Sequence, residues 1–255
     1  MHRRGTVEIT KYIGETMSVT YKDIPILFED NHILVVVKPF NIPSQEDSSE
    51  DSDMLTLLKE YLREKYNKPG NVFLGLVHRL DRPTGGVMVF AKTSKAAARL
   101  SECITSGEFD KKYLAVLSAI PAPKNGRLDH YLFKDEEKNV VTVVPMGIKG
   151  AKRAVLDYKV IESRDTICLA EVYLYTGRSH QIRVQTAHIG CPVVGDRKYA
   201  GDKYVKSDHL ALWSVEIRFP HPTKKDIMVF RAFPNDSEFP WNAFDLERHL
   251  SVKIK

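Results

Sequence analysis

The sequence predicts an α+β fold in which an antiparallel sheet is packed by a few helices. Three observations carry that expectation. Several stretches alternate apolar and polar residues with the period of two that a half-buried strand requires, the cleanest being Trp213, Val215, Ile217 and Phe219 against Ser214, Glu216 and Arg218. Two stretches instead repeat apolar residues at helical spacing, the first behind the capping residue Asp53 and the second closed by Gly107. The run Val87 to Ala91, behind the turn Pro83-Thr84-Gly85-Gly86, has the β-branched and aromatic content of a buried strand.

Residues 1–20 match no element and are expected to form an extension of unknown role, ahead of one domain over residues 21–255. Ile33 to Val37, closed by Lys38-Pro39, reads as a buried strand entering a turn, and Asn41 suits left-handed backbone there. Residues 43–53 carry five acidic side chains and no basic one, as a solvated loop does. Asp53 then caps a helix with Met54, Leu58, Tyr61 and Leu62 on one stripe, ending at Pro69-Gly70. A second helix is expected over Ser94 to Thr105, with Ala97, Leu100 and Ile104 inward and Gly107 just past its end. Strands follow at Lys112 to Leu117, around 154–161 and around 166–175, with a turn at Lys124-Asn125-Gly126.

Composition bounds the function classes. A chain of 255 residues, 43% hydrophobic and 28% charged, is ordinary for a soluble globular protein and long enough for a substantial core. No apolar run approaches the roughly 18 residues of a membrane span, and no apolar segment follows Arg3 and Arg4 as a secretory signal would require. The three cysteines, Cys103, Cys168 and Cys191, are far apart and fit buried thiols in a reducing compartment, so a cytoplasmic location is expected. A net charge of +5 permits a polyanionic partner without demanding one.

The chemistry concentrates in Leu76 to Lys92, LVHRLDRPTGGVMVFAK. Asp81 lies between Arg79 and Arg82 on a turn that leads into a core strand, which is how a carboxylate is kept ionised on a rigid support. The stretch resembles the HRLDRxTSG signature of the RluA family of RNA pseudouridine synthases, with Gly85 where that family usually has serine. A protein-kinase reading of the same letters fails on the leucine inside His78-Arg79-Leu80-Asp81 and on the missing Asp-Phe-Gly.

Three further stretches resemble the same family in order and spacing. Lys111-Lys112-Tyr113-Leu114-Ala115 is similar to its KxYxA segment. Thr176-Gly177-Arg178-Ser179-His180-Gln181-Ile182-Arg183 is similar to TGRTHQIR, with Ser179 a candidate N-cap of a helix that ends at Gly190. Val193 to Tyr199 and Leu210 to Thr223 resemble PIVGDxxY and LHAxxLxFxHP, with Trp213 in place of the usual histidine. The resemblance runs from about Ile24 to Ala232. It implies a mixed, mostly antiparallel central sheet crossed by a catalytic cleft, and the absence of the small RNA-binding domain that precedes many relatives.

It also implies the reaction, uridine to pseudouridine within RNA, with Asp81 as nucleophile, Tyr113 against the target base and Arg183 paired with Asp81. Arg79, Arg82, Lys112 and Arg178 are the candidates for RNA contact. The base is cut from ribose at nitrogen and rejoined through carbon without oxidation or hydrolysis, so no metal and no cofactor is expected. Transfer RNA and ribosomal RNA are both open as substrate, and a monomer is the default. The competing class is an RNA-binding or RNA-folding factor that uses the same cleft without catalysis. A metal hydrolase built from His78, His180, His188, His209 and His221 finds no ligand motif in their spacing.

Overall fold

The computed structural model describes residues 19–47, 49 and 51–250. The expected N-terminal extension therefore lies outside the described residues except for Val19 and Thr20, as do Ser48 and Glu50 of the acidic loop. In chain order the elements are β1 (Ile26–Glu29), β2 (Ile33–Lys38), α1 (Met54–Lys65), β3 (Gly75–Leu76), β4 (Gly85–Ala91), α2 (Ser94–Ser106) and β5 (Asp110–Leu117). There follow β6 (Asn125–Asp135), β7 (Val140–Val144), β8 (Lys152–Arg164), β9 (Ile167–Leu174), α3 (Gln181–His188), β10 (Leu212–Pro220), β11 (Ile227–Arg231) and α4 (Leu246–Leu250).

The strands form one 11-stranded sheet in the order β1-β2-β4-β10-β5-β9-β8-β6-β7, with β11 beside β10 and β3 beside β4. The β4–β10 pair is parallel and the other named pairs are antiparallel, so the sheet is mixed and mostly antiparallel as expected. The parallel junction needs close backbone approach. Gly86 sits there at φ +121°, and a Cβ on it would lie 2.3 Å from the Ser214 carbonyl oxygen. One transverse row crosses the middle of the sheet: Lys38 opposite Gly86, then Ser214, Tyr113, Val172 and Tyr158. Segments far apart in the sequence meet along that row.

Both predicted helices form. Asp53 Oδ1 accepts from the Leu55 and Thr56 amides at 2.9 and 3.1 Å, and Gly107 closes α2 at φ +81°. Helix α1 stops at Lys65, short of Pro69-Gly70, because Asn67 turns left-handed and the Tyr66 hydroxyl donates to Glu29. In α2 the buried positions are Ala96, Leu100 and Cys103, while Ala97 and Ile104 are half-buried at the margin. The expected turn at Lys124-Asn125-Gly126 is instead the start of β6, where Asn125 and Gly126 pair with Lys159 and Tyr158. The absent side chain of Gly126 leaves room for the Tyr158 ring, whose hydroxyl donates to the Pro123 carbonyl. Strand β10 alternates only in its second half. Ser214 is buried too, because β4 and β5 flank it on either side.

Candidate active site

Asp81 lies in the stretch between β3 and β4, and the main chain around it is fixed from several directions. Lys38, fully buried, donates its ammonium to the carbonyls of Pro39, Arg82 and Thr84 at 3.0, 3.0 and 2.8 Å. Burial lowers the Lys38 pKa to about 7, opposed by the charge of Asp81. Ser44 Oγ donates to the Leu80 carbonyl at 2.7 Å and accepts from the Leu80 amide at 3.2 Å, clamping the residue before the aspartate. The Thr84 amide donates to the Asp81 carbonyl at 2.9 Å, closing the turn. His78 Nε2 accepts from the Val89 amide at 3.1 Å, and burial pushes this imidazole down to about 3. The ring is thus neutral, with its proton on Nδ1.

The Asp81 carboxylate itself is treated differently from its backbone. Among the described residues none donates it a hydrogen bond. Its near charge is Arg183, with Nη1 3.7 Å from Oδ2, and the Asp81 side chain is 28% exposed. Its lone pairs are left available.

Arg183 projects from α3, one turn after the junction with β9. Asp196, fully buried, holds it in a two-pronged pair, with Nε–Oδ2 and Nη2–Oδ1 both 2.8 Å. Burial works against the Arg183 charge and Asp196 more than offsets it, so the guanidinium stays charged. The Tyr199 ring stacks 5.1 Å below the guanidinium, and its hydroxyl meets His180 Nδ1 at 2.5 Å. The predicted cap of this helix is corrected: His180 occupies the N-cap at φ 52°, not Ser179. The side chain of Gln181 ties the junction, accepting from the Thr176 hydroxyl at 2.7 Å and the Arg178 amide at 3.0 Å. The helix ends at His188, and Gly190 follows at φ +75°.

Tyr113 faces the same space from β5. Burial and the charge of Asp81 hold its phenol well above the usual value, against a hydrogen bond with Ser214, so the hydroxyl stays protonated. Asp81, Tyr113 and Arg183 are therefore brought together around one space.

The predicted RNA contacts divide. Arg79 and Arg178 are exposed, Arg178 donating to the Arg153 carbonyl at 3.0 Å. Arg82 turns to the acidic loop, bonding Ser49 Oγ at 2.9 Å and the Asp51 carboxylate. Lys112 is on the opposite face of β5 from Tyr113 and is paired with Glu171, so it does not reach the cleft. Sequence reading assigned no role to Lys38 or Asp196; both partnerships are long-range and leave no local pattern. Among the described residues no three His, Cys, Asp or Glu side chains are grouped as metal ligands, and no helix is long and apolar enough to cross a membrane.

Comparison with known proteins covers most of this framework. A family profile described as RNA pseudouridylate synthase matches residues 32–188. Ribosomal large subunit pseudouridine synthase D of Yersinia pestis is 33% identical over 248 residues, covering 90% of this chain and 74% of that protein. Ribosomal large subunit pseudouridine synthase C of Buchnera aphidicola subsp. Acyrthosiphon pisum is 31% identical over 221 residues, covering 84% and 68%. The solved structure of human RNA pseudouridylate synthase domain containing 4 superposes with a TM-score of 0.68 at 23% identity, over 83% of this chain and 88% of that one. That likeness speaks to the fold.

Proposed function

The chain belongs to the RNA pseudouridylate synthase family, of the RluA type, and from that premise we propose that it isomerises uridine in large-subunit ribosomal RNA, with Asp81 as nucleophile and no cofactor. The enzyme class is an isomerase. The names of its relatives favour ribosomal over transfer RNA as substrate. It works as a monomer in the cytoplasm, where that RNA is found.

The observation that carries the mechanism is a half-buried carboxylate with no hydrogen-bond donor among the described residues, on a main chain fixed at four points, facing an arginine held in place by a second acid. The target uridine must leave its stack, at a cost of about a few kcal/mol. The Tyr113 ring offsets part of that by packing on the base, at about 1–3 kcal/mol per stacked base. The Asp81 carboxylate then forms a transient covalent bond with the nucleoside while the N1–C1′ bond breaks. The base turns in place, C5 bonds to C1′, the C5 hydrogen leaves as a proton while N1 takes one up, and the carboxylate is released unchanged. Arg183 balances the charge on Asp81 before and after the covalent stage. Arg79 and Arg178 are exposed at the surface, where they hold the surrounding RNA, and Arg82 joins them once it leaves Asp51.

Release of tritium from carbon-5-labelled uracil tests the reading. Unmodified transcripts of large-subunit ribosomal RNA are expected to release label and unmodified transfer RNA transcripts are not. Release from transfer RNA alone would overturn the substrate, and release from neither would overturn the activity.

A further inference from the structure

Lys111 and Lys112 are neighbours on β5, and the strand's alternation sends them to opposite faces. The outward one is accounted for. Lys112 pairs with Glu171 and lies 5.3 Å from the centroid of the Tyr173 ring, and these partners raise its pKa despite burial. Lys111 shares the face of Tyr113 and has no such partner. Across the sheet it stands opposite Ile217, which is fully buried. A Cβ built on Gly177, in the exposed bend before α3, would lie 3.3 Å from Lys111 Nζ. Its charge also bears on His78, at the start of the segment that carries Asp81. The ammonium is thus held between the two segments that supply Asp81 and Arg183. Among the described residues, none offers it a carboxylate or a hydrogen bond.

A half-buried ammonium without a counter-charge is costly, and a methionine would fill the same space without that cost. Burial alone lowers the Lys111 pKa, the opposite of its neighbour. Such a group is stabilised when an anion reaches it. In an RNA cleft the anion at hand is the phosphodiester. The bare Cα of Gly177 leaves the approach open.

We propose that Lys111 binds a phosphodiester flanking the target uridine, fixing the flipped nucleotide between the Asp81 turn and the Tyr175–Ser179 bend. The inference rests on the Asp81-centred reading above and adds to it a positioning contact with the RNA backbone. Lys111 takes no part in bond making.

The test uses binding rather than turnover, so that the two readings fail separately. The full chain carrying Asp81→Asn is titrated with an unmodified large-subunit ribosomal RNA transcript over a range of salt concentrations. Each lysine–phosphate contact contributes about one unit to the slope of log affinity against log salt. Adding Lys111→Gln is expected to weaken binding and reduce that slope by about one, whereas Lys111→Arg keeps it and Lys112→Gln leaves it at the parent value. A purely structural lysine would change the melting temperature and leave the slope alone. Should Lys111→Gln fail to fold, Gly177→Val keeps the charge but covers it, and the same loss of slope is expected. Parent slopes in both Lys111→Gln and Gly177→Val, or in the one that folds, would overturn the inference. A parent protein that binds without salt dependence would overturn it as well. Wild-type tritium release, measured alongside, reports on the catalytic reading alone.

Discussion

The two walls of the cleft hold their charged groups in opposite ways. On the β2–β4 side the scaffold grips main chain: Lys38 takes three carbonyls and Ser44 takes both polar groups of Leu80, while the Asp81 carboxylate accepts no hydrogen bond from any described residue. On the α3 side the scaffold grips the functional group itself, with Asp196 occupying the Nε/Nη2 edge of the Arg183 guanidinium. The difference follows from the work each group does. A nucleophile needs free lone pairs in a fixed place, whereas a counter-charge needs only to remain charged and aimed. Glu29, on the same wall as Asp81 but on its outer strand β1, makes the contrast sharper. It accepts from Lys65, Lys92, Tyr61 and Tyr66 at 2.6–2.8 Å, and it has no lone pair to offer a substrate.

If that contrast is right, the largest loss of stability comes from the α3 wall. Asp196→Ala strands a buried guanidinium, and denaturant unfolding should show a loss of about 3–5 kcal/mol. A change under about 1 kcal/mol would mean that Arg183 finds another partner and is not held as described. On the other wall, Lys38→Met orphans three carbonyls, costing about 1–3 kcal/mol for each one that water cannot reach. Its signature is kinetic: loosening the Asp81 turn should lower kcat by about 10²-fold with KM for RNA little changed. An equal rise in KM would point to binding instead.

Two departures from the family pattern turn out to be one structural fact. A Cβ on Gly85 would lie 2.3 Å from Cζ3 of Trp213, so the tryptophan occupies the space that a serine would need. The Trp213 indole is fixed in turn by its bond to the Ala232 carbonyl at 2.8 Å. Gly85→Ser should therefore destabilise by about 1–3 kcal/mol, as overpacking does. In combination with Trp213→His much of that loss should return, with a coupling of about 0.5–3 kcal/mol in a double-mutant cycle. Strict additivity would refute the pairing.

The smallest effect is confined to acid. Although burial opposes it, the lysines and tyrosines around Glu29 lower its pKa from 4.5 to about 2. A depressed carboxylate stabilises the fold above its unfolded pKa, so this contribution is complete above pH 4.5 and is lost as pH falls toward 2. Glu29→Gln should flatten the stability profile in that window and leave turnover at neutral pH unchanged. An unaltered acid profile would show that the cluster is not coupled to folding.

How much of this the sequence disclosed depends on whether a role is written locally. Asp81, Tyr113 and Arg183 sit in short motifs, and their convergence follows once Gly86, Ser214 and Tyr113 are seen to share one row of the sheet. Asp53 and Gly107 announced their helix ends because capping is set by adjacent residues. Lys38 and Asp196 were invisible as partners, since hydrogen bonding between distant segments has no period to read. Lys112 adjoins Tyr113 in sequence yet lies on the other face of β5, and adjacency alone does not disclose a face. The edge hairpin β6–β7 also escaped notice: its outward residues, Arg127 and Asp129 among them, are matched by charges on β8 and not by a simple apolar alternation.

The most direct test of the contrast between the walls is tritium release by Asp81→Asn beside the wild type, on unmodified large-subunit ribosomal RNA labelled at carbon-5 of uracil. The asparagine keeps the size of the side chain and leaves Lys38, Ser44 and the turn untouched, so only the nucleophile is removed. Release by the wild type with a loss on the order of 10⁴-fold or more in the variant, at unchanged melting temperature, is the expected result. Comparable release by both proteins would move the chemistry off Asp81 and leave its free carboxylate without a purpose.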